Sequence, residues 1–154
     1  MVNSHQDQIS KFRFLGFTLL ILVFALTSCT SSKTASNNNG ECNSNEKVEI
    51  KRHISNQVEA ITRLDWEKAY SFAAQSFRDG ISLAQFARII QRQYQVIIIN
   101  EGYSFELCTK ADDQYTQEVY FDTKDGRYLL SYRLTKVNGK LGVVGAEIIP
   151  VIAT

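Results

Sequence analysis

Apolar positions divide the chain into four regimes. Residues 14–26 run without a charge through Leu15, Phe17, Leu19, Leu20, Ile21, Leu22, Val23 and Phe24, and residues 30–45 hold almost nothing to bury. From Val48 the apolar side chains recur at helical spacing, and after Gly102 the period drops to two. Val48, Ile54, Val58, Ile61 and Leu64, with Lys, Arg, Asn and Gln between them, predict an amphipathic helix over residues 46–63. Asp65 is placed to cap a second helix with Trp66, Ala69, Tyr70 and Ala73 on its apolar side, ending before Asp79-Gly80. Ser82-Leu83-Ala84-Gln85 reads as a capping box, in which hydroxyl and side-chain amide each satisfy an orphan backbone N–H; the stripe Leu83, Phe86, Ile90 and Tyr94 makes it a third helix. Val96-Ile97-Ile98-Ile99 fits the end of that helix or a short buried strand, and extended chain is the expectation adopted.

Beyond Asn100-Glu101-Gly102, Tyr103, Phe105 and Leu107 alternate with Ser104, Glu106 and Cys108. Further strand-like runs occupy residues 115–123, 128–137 and 141–149. Asp125-Gly126 and Asn138-Gly139 signal primed hairpin turns, with positive φ at both central residues, so the last three strands form an antiparallel meander. Helices grouped before strands predict an α+β domain over residues 46–154, with three N-terminal helices packed on a curved four-stranded antiparallel sheet.

At 154 residues there is room for one such domain. Apolar and charged shares of 44% and 21% are those of an ordinary globular protein. A formal net charge of +1, without a concentrated basic face, argues against nucleic acid and against an anionic membrane surface as electrostatic targets.

Lys11 and Arg13 precede the apolar run, which is about thirteen residues long and short of the roughly 20 that span a bilayer; it reads as the core of a secretion signal over residues 1–28. Leu26-Thr27-Ser28-Cys29 resembles the lipobox of bacterial lipoproteins, which implies that Cys29 carries lipid and begins the mature chain, anchoring it to the membrane. A plain cleaved signal or an uncleaved anchor helix are the alternatives, and either places the rest outside the cytoplasm. In lipoproteins an Asp after the cysteine favours the inner membrane; Thr30 at that position implies the outer membrane where the host has two. Residues 29–45, polar throughout after Cys29, are expected to be a flexible tether.

With Cys29 assigned to lipid, Cys42 and Cys108 remain as an even pair in an oxidising compartment. Bonded, they would contribute roughly 3 to 5 kcal/mol on the chain-entropy account. The alternative is two unrelated thiols, Cys108 being a small buried hydrophobe on a strand. No metal site and no cofactor are expected: the cysteines lie far apart, and the two histidines are His5, in the leader, and His53, beside the apolar stripe.

Leu64-Asp65-Trp66-Glu67-Lys68-Ala69-Tyr70-Ser71-Phe72 resembles the acidic, aromatic, x, x, Ala-Tyr helix start found in bacterial lipoprotein branches of the nuclear transport factor 2-like superfamily. Val137-Asn138-Gly139-Lys140-Leu141-Gly142-Val143 is similar to its closing hairpin, and the resemblance covers about residues 47–150. It implies a cone with a cavity between helices and sheet, and in the superfamily's enzymes an Asp or His base with Tyr donors inside it. Trp66, Tyr70, Phe86, Tyr132 and Glu147 are the candidates for lining that cavity. Glu147 shares a side with Val143 and Ile149 and could point inward with a raised pKa; the alternative puts Val144, Ala146 and Ile148 inside and Glu147 in solvent. Tyr132 is either core or cavity edge, and Trp66, Tyr70 and Phe86 serve equally as core. Three functions follow as expectations. The first is a non-enzymatic envelope module binding a small apolar ligand or another envelope protein. The second is a ketosteroid isomerase-like or dehydratase-like enzyme; the third is a structural protein that dimerises through its sheet.

Overall fold

The computed structural model describes residues 39–150. The leader, Cys29 and the tether as far as residue 38 lie outside the described residues.

The chain enters as a two-residue strand, β1 (Gly40–Glu41), and then forms α1 (Ser44–Thr62), α2 (Trp66–Ser71), α3 (Gln75–Gly80), α4 (Leu83–Gln93) and α5 (Gln95–Ile98). Four long strands follow: β2 (Gly102–Ala111), β3 (Gln114–Thr123), β4 (Gly126–Val137) and β5 (Lys140–Ile149). All five strands make one antiparallel sheet in the order β1-β2-β3-β4-β5. The expectation of three helices on a four-stranded sheet, and with it the cone taken from the nuclear transport factor 2-like resemblance, is therefore corrected to five helices and five strands. Helices still precede the meander, but β1 precedes the helices.

Each difference has a specific cause. The fifth strand lies in the stretch read as tether: Gly40 and Glu41 are exposed and pair with Lys110 and Thr109 through backbone alone, so no apolar alternation announces them. The second expected helix breaks at Phe72 and Ala73 because the chain there turns to bond β5. Phe72 O accepts from Val143 N at 3.0 Å, and Ala74 N donates to Val143 O at 2.8 Å. Gly142 makes that approach feasible, since a Cβ on it would lie 2.5 Å from Ala74 Cα. Residues 96–99, expected as extended, are mostly helical: α5 restarts after Tyr94, whose φ of −125° ends α4.

Helix α1 buries Ile50, Ile54, Val58 and Ile61, while Val48 is 65% exposed and outside the stripe. Its start is a capping box: Asn43 Oδ1 accepts from Asn45 N and Glu46 N, both at 3.0 Å, and Glu46 Oε2 accepts from Asn43 N. It ends with Leu64 at φ 58°, where Leu64 N donates to Ile61 O and Asp65 N to Ala60 O, satisfying the last carbonyls. Asp65 and Ser82 cap α2 and α4 as expected from their sequences. At the hairpins, Asn138 (φ 51°) and Gly139 (φ 75°) both take positive φ, whereas at Asp125-Gly126 only Gly126 does.

Two β-bulges control which side chains face the helices. Pairing passes from Phe105/Val119 to Cys108/Gln117, and from Arg133/Gly145 to Leu134/Val143. Each inserts one residue and inverts the alternation beyond it. Leu107 is therefore 52% exposed and Cys108 buried, reversing the parity read from sequence. Buried Gln117 fills the first bulge, donating from Nε2 to Glu106 O and Leu107 O at 3.1 and 3.3 Å.

Candidate functional site

The second bulge shapes a cavity of about 260 Å3 between the helices and the β4–β5 side of the sheet. On strict alternation Glu147 would join Val143 on the inner face. With Val144 bulged out, Val143 and Ala146 both line the cavity, and Val144 and Glu147 are exposed. The helical wall is Ile61 of α1, Phe86 and Ile90 of α4 and Ile97 of α5, all buried. Phe77, Ile89 and Tyr94 are half-buried and form the rim. Arg133 and Gly145 also border the cavity. Arg133 is exposed and alternates with buried Tyr132 and Leu134, and its Nη2 would lie 3.6 Å from a Cβ on Gly145, so its guanidinium stands beside the bulged part of β5.

Three polar side chains meet this apolar space. Tyr94 is committed, its hydroxyl donating to Ala146 O at 2.6 Å. Gln57, buried within the α1 stripe, donates from Nε2 to Ala69 O at 3.2 Å. Tyr132 is 2% exposed, and its hydroxyl has no hydrogen-bond partner among the described residues. Burial pushes its phenol far above the ordinary value of 10.0, helped by Tyr103 and Tyr94 nearby. It stays neutral at physiological pH.

Phe86 and Tyr132 thus meet at the cavity, while the other candidates lie elsewhere. Tyr70 stands behind Phe86, ring centroids 5.7 Å apart, with its hydroxyl donating to Ile81 O at 2.6 Å. Trp66 borders a shallow groove with Leu64 and Leu83. Glu147 is in solvent on β5, opposite Ser131. His53 packs edge-on against Phe72, its Nε2 2.8 Å from Phe72 O, which it satisfies as the Nε2–H tautomer. Among the described residues no carboxylate or imidazole lines the cavity. Sequence reading missed Gln57, although a polar residue set among Ile50, Ile54, Val58 and Ile61 was a visible signal. It set Val143 and Ala146 on opposite faces as alternatives, whereas the bulge brings both to the cavity.

Cys42 and Cys108 form a buried disulfide, Cα atoms 5.4 Å apart and 66 positions apart in sequence. Among the described residues no group of His, Cys, Asp and Glu is arranged to hold a metal ion, and no helix is long and apolar enough to cross a membrane.

Fold and site together define a small disulfide-stapled α+β domain with a mostly apolar, partly open cavity. Residues 43–148 match the family model described as a domain of unknown function, DUF4864, and the chain belongs to that family. No curated protein and no solved structure matches it. Neither the lipoprotein nor the nuclear transport factor 2-like resemblance gains support from these comparisons.

Proposed function

We propose that the chain is an exported, lipid-anchored protein of the bacterial cell envelope whose domain holds a small apolar ligand without transforming it. The cavity carries the ligand half of this reading: about 260 Å3 lined by Ile61, Phe86, Ile90 and Val143, with no carboxylate or imidazole among its described lining residues. An empty apolar space of that size costs packing energy, which an occupant returns. A dimer formed through the sheet would need a contiguous apolar outer face. On that face Tyr120, Leu129 and Ile149 form one cross-strand row, bounded by the adjoining row of Glu118, Ser131 and Glu147, which favours the ligand reading.

Export draws support from the disulfide, because such bonds persist in oxidising compartments, and from the leader ending at Leu26-Thr27-Ser28-Cys29. Thr30 favours the outer membrane of a two-membraned host. Two measurements test the reading. Mass spectrometry of the membrane-extracted chain should find Cys29 acylated at the mature N-terminus, and Cys29→Ser should release the protein from membranes; an unmodified Cys29 behind an intact Met1 overturns the anchor. Ala146→Leu should fill the cavity, leave the melting temperature equal or higher, and abolish co-purification of a small apolar molecule. Unaltered co-purification overturns the ligand site.

A further inference from the structure

We infer that the cavity's occupant is an amphipathic monoanion, with an apolar body of ~10 non-hydrogen atoms in the cavity and a carboxylate head paired with Arg133 at its border. This rests on the ligand-holding reading and names the head group of the ligand.

The lining supplies the charge. Of the described residues around the cavity Arg133 alone is ionised at neutral pH, and no Asp, Glu, Lys or His joins it there. Among the described residues its guanidinium is in no ion pair, whereas Lys110 and Lys136 are spent on Glu46 and Glu49. Glu118 and Glu147 stand on the adjoining cross-strand row, and neither closes to an ion pair with it.

Geometry brings that charge to the cavity. Nη2 of Arg133 lies 3.6 Å from where a Cβ on Gly145 would be, and Gly145 is itself a lining residue. Gly145 sits on the edge strand of the sheet between two ties, the bonds of Val143 to Phe72 and Ala74 and the bond from the Tyr94 hydroxyl to Ala146 O. The guanidinium therefore lies over bare backbone that the cavity shares.

Size and valence follow. A 150 Å3 apolar cavity accommodates benzene, so about 260 Å3 holds ~10 non-hydrogen atoms. Ile61, Phe86, Ile90 and Ile97 are buried and receive the apolar body, while Arg133 is exposed, so the head keeps part of its hydration and escapes the cost of a fully buried pair. A guanidinium meets a carboxylate with two parallel N–H donors. One cation balances one charge, which selects a carboxylate over a dianionic phosphate monoester.

The test measures binding of decanoate, 1-decanol and decylammonium to the full-length chain at pH 7, below micelle formation and with a protein-free detergent blank to remove partitioning. Decanoate should bind about tenfold more tightly than the alcohol, and the ammonium more weakly than either. In Arg133→Gln, checked for folding by circular dichroism, the decanoate-to-decanol ratio should fall to about one with decanol affinity unchanged. Gly145→Asp gives an independent reading. A Cβ there meets nothing closer than Nη2 of Arg133, so the new carboxylate should occupy the guanidinium and remove the advantage of decanoate while decanol keeps its affinity. Decanoate binding no tighter than decanol in the unaltered chain, a ratio that survives Arg133→Gln (or Gly145→Asp, where the former does not fold), or a preference for decylammonium each overturn the carboxylate inference and leave the ligand-holding reading standing. Failure of all three probes to bind overturns both.

Discussion

Gly142 shows how much one absent methyl group decides. Its hydrogen lies where a Cβ would press to 2.5 Å from Ala74 Cα and 2.8 Å from Ala74 N, and both neighbours are backbone held by the Ala74-to-Val143 bond. Gly142→Ala should therefore lower stability by about 2 to 3 kcal/mol in urea unfolding and loosen amide protection at Ala74 and Val143. Tyr132 makes the opposite case. Its buried hydroxyl lacks a partner, so Tyr132→Phe should raise the stability of the ligand-free protein by about 1 kcal/mol. His53 adds a pH term. Burial lowers its pKa below the ordinary 6.5, only partly opposed by the bond to Phe72 O and by Glu49. Below that value the unfolded chain takes up a proton at His53 more readily than the folded one, so stability falls as pH drops below about 6.5. Glu46 is held below the ordinary 4.5, first by its bond to Lys110, and loses its contribution only at still lower pH. Unfolding measured between pH 7 and pH 5 should show a slope that His53→Gln flattens.

At the level of elements, local chemistry was legible wherever the determinant lay within a few residues. Ser82 and Gln85 announced α4, Asp65 announced α2, and Asn138-Gly139 announced the last hairpin. Legibility failed where the determinant was distant. The break at Phe72 and Ala73 exists because of Val143, some 70 positions away, and the parity of Cys108 and Glu147 is set by bulges that no alternation rule contains. Of the five candidates only Glu147 turned on that second reason: the sequence allowed it inside beside Val143, or in solvent with Val144, Ala146 and Ile148 inside, and with Val144 bulged it is in solvent while Val143 and Ala146 share the inner face. The cap at Asn43 also went unread, being placed in the tether. Asn43→Ala should cost about 1 kcal/mol, with hydrogen exchange rising over the first turn of α1 and leaving α4 unaffected.

For the whole molecule, the staple between Cys42 and Cys108 joins the point where the chain enters the domain to β2, beside the short edge strand β1. Closing a span of 66 positions restricts the unfolded chain by about 4 kcal/mol on the entropic account. The double variant Cys42→Ala, Cys108→Ala should lose roughly 2 to 5 kcal/mol, read as a lower urea midpoint, and its midpoint should be insensitive to dithiothreitol whereas that of the unaltered chain is not.

The same bond fixes how the domain responds to being pulled. Tension arriving along the chain from before Gly40 first shears the short β1–β2 pairing, then meets Cys42 and crosses through sulfur into Cys108, bypassing the first turn of α1. In a stretching measurement the oxidised domain would resist until β2 itself is torn from β3. After reduction the same force would peel α1 away from its capped end, a weaker and stepwise failure.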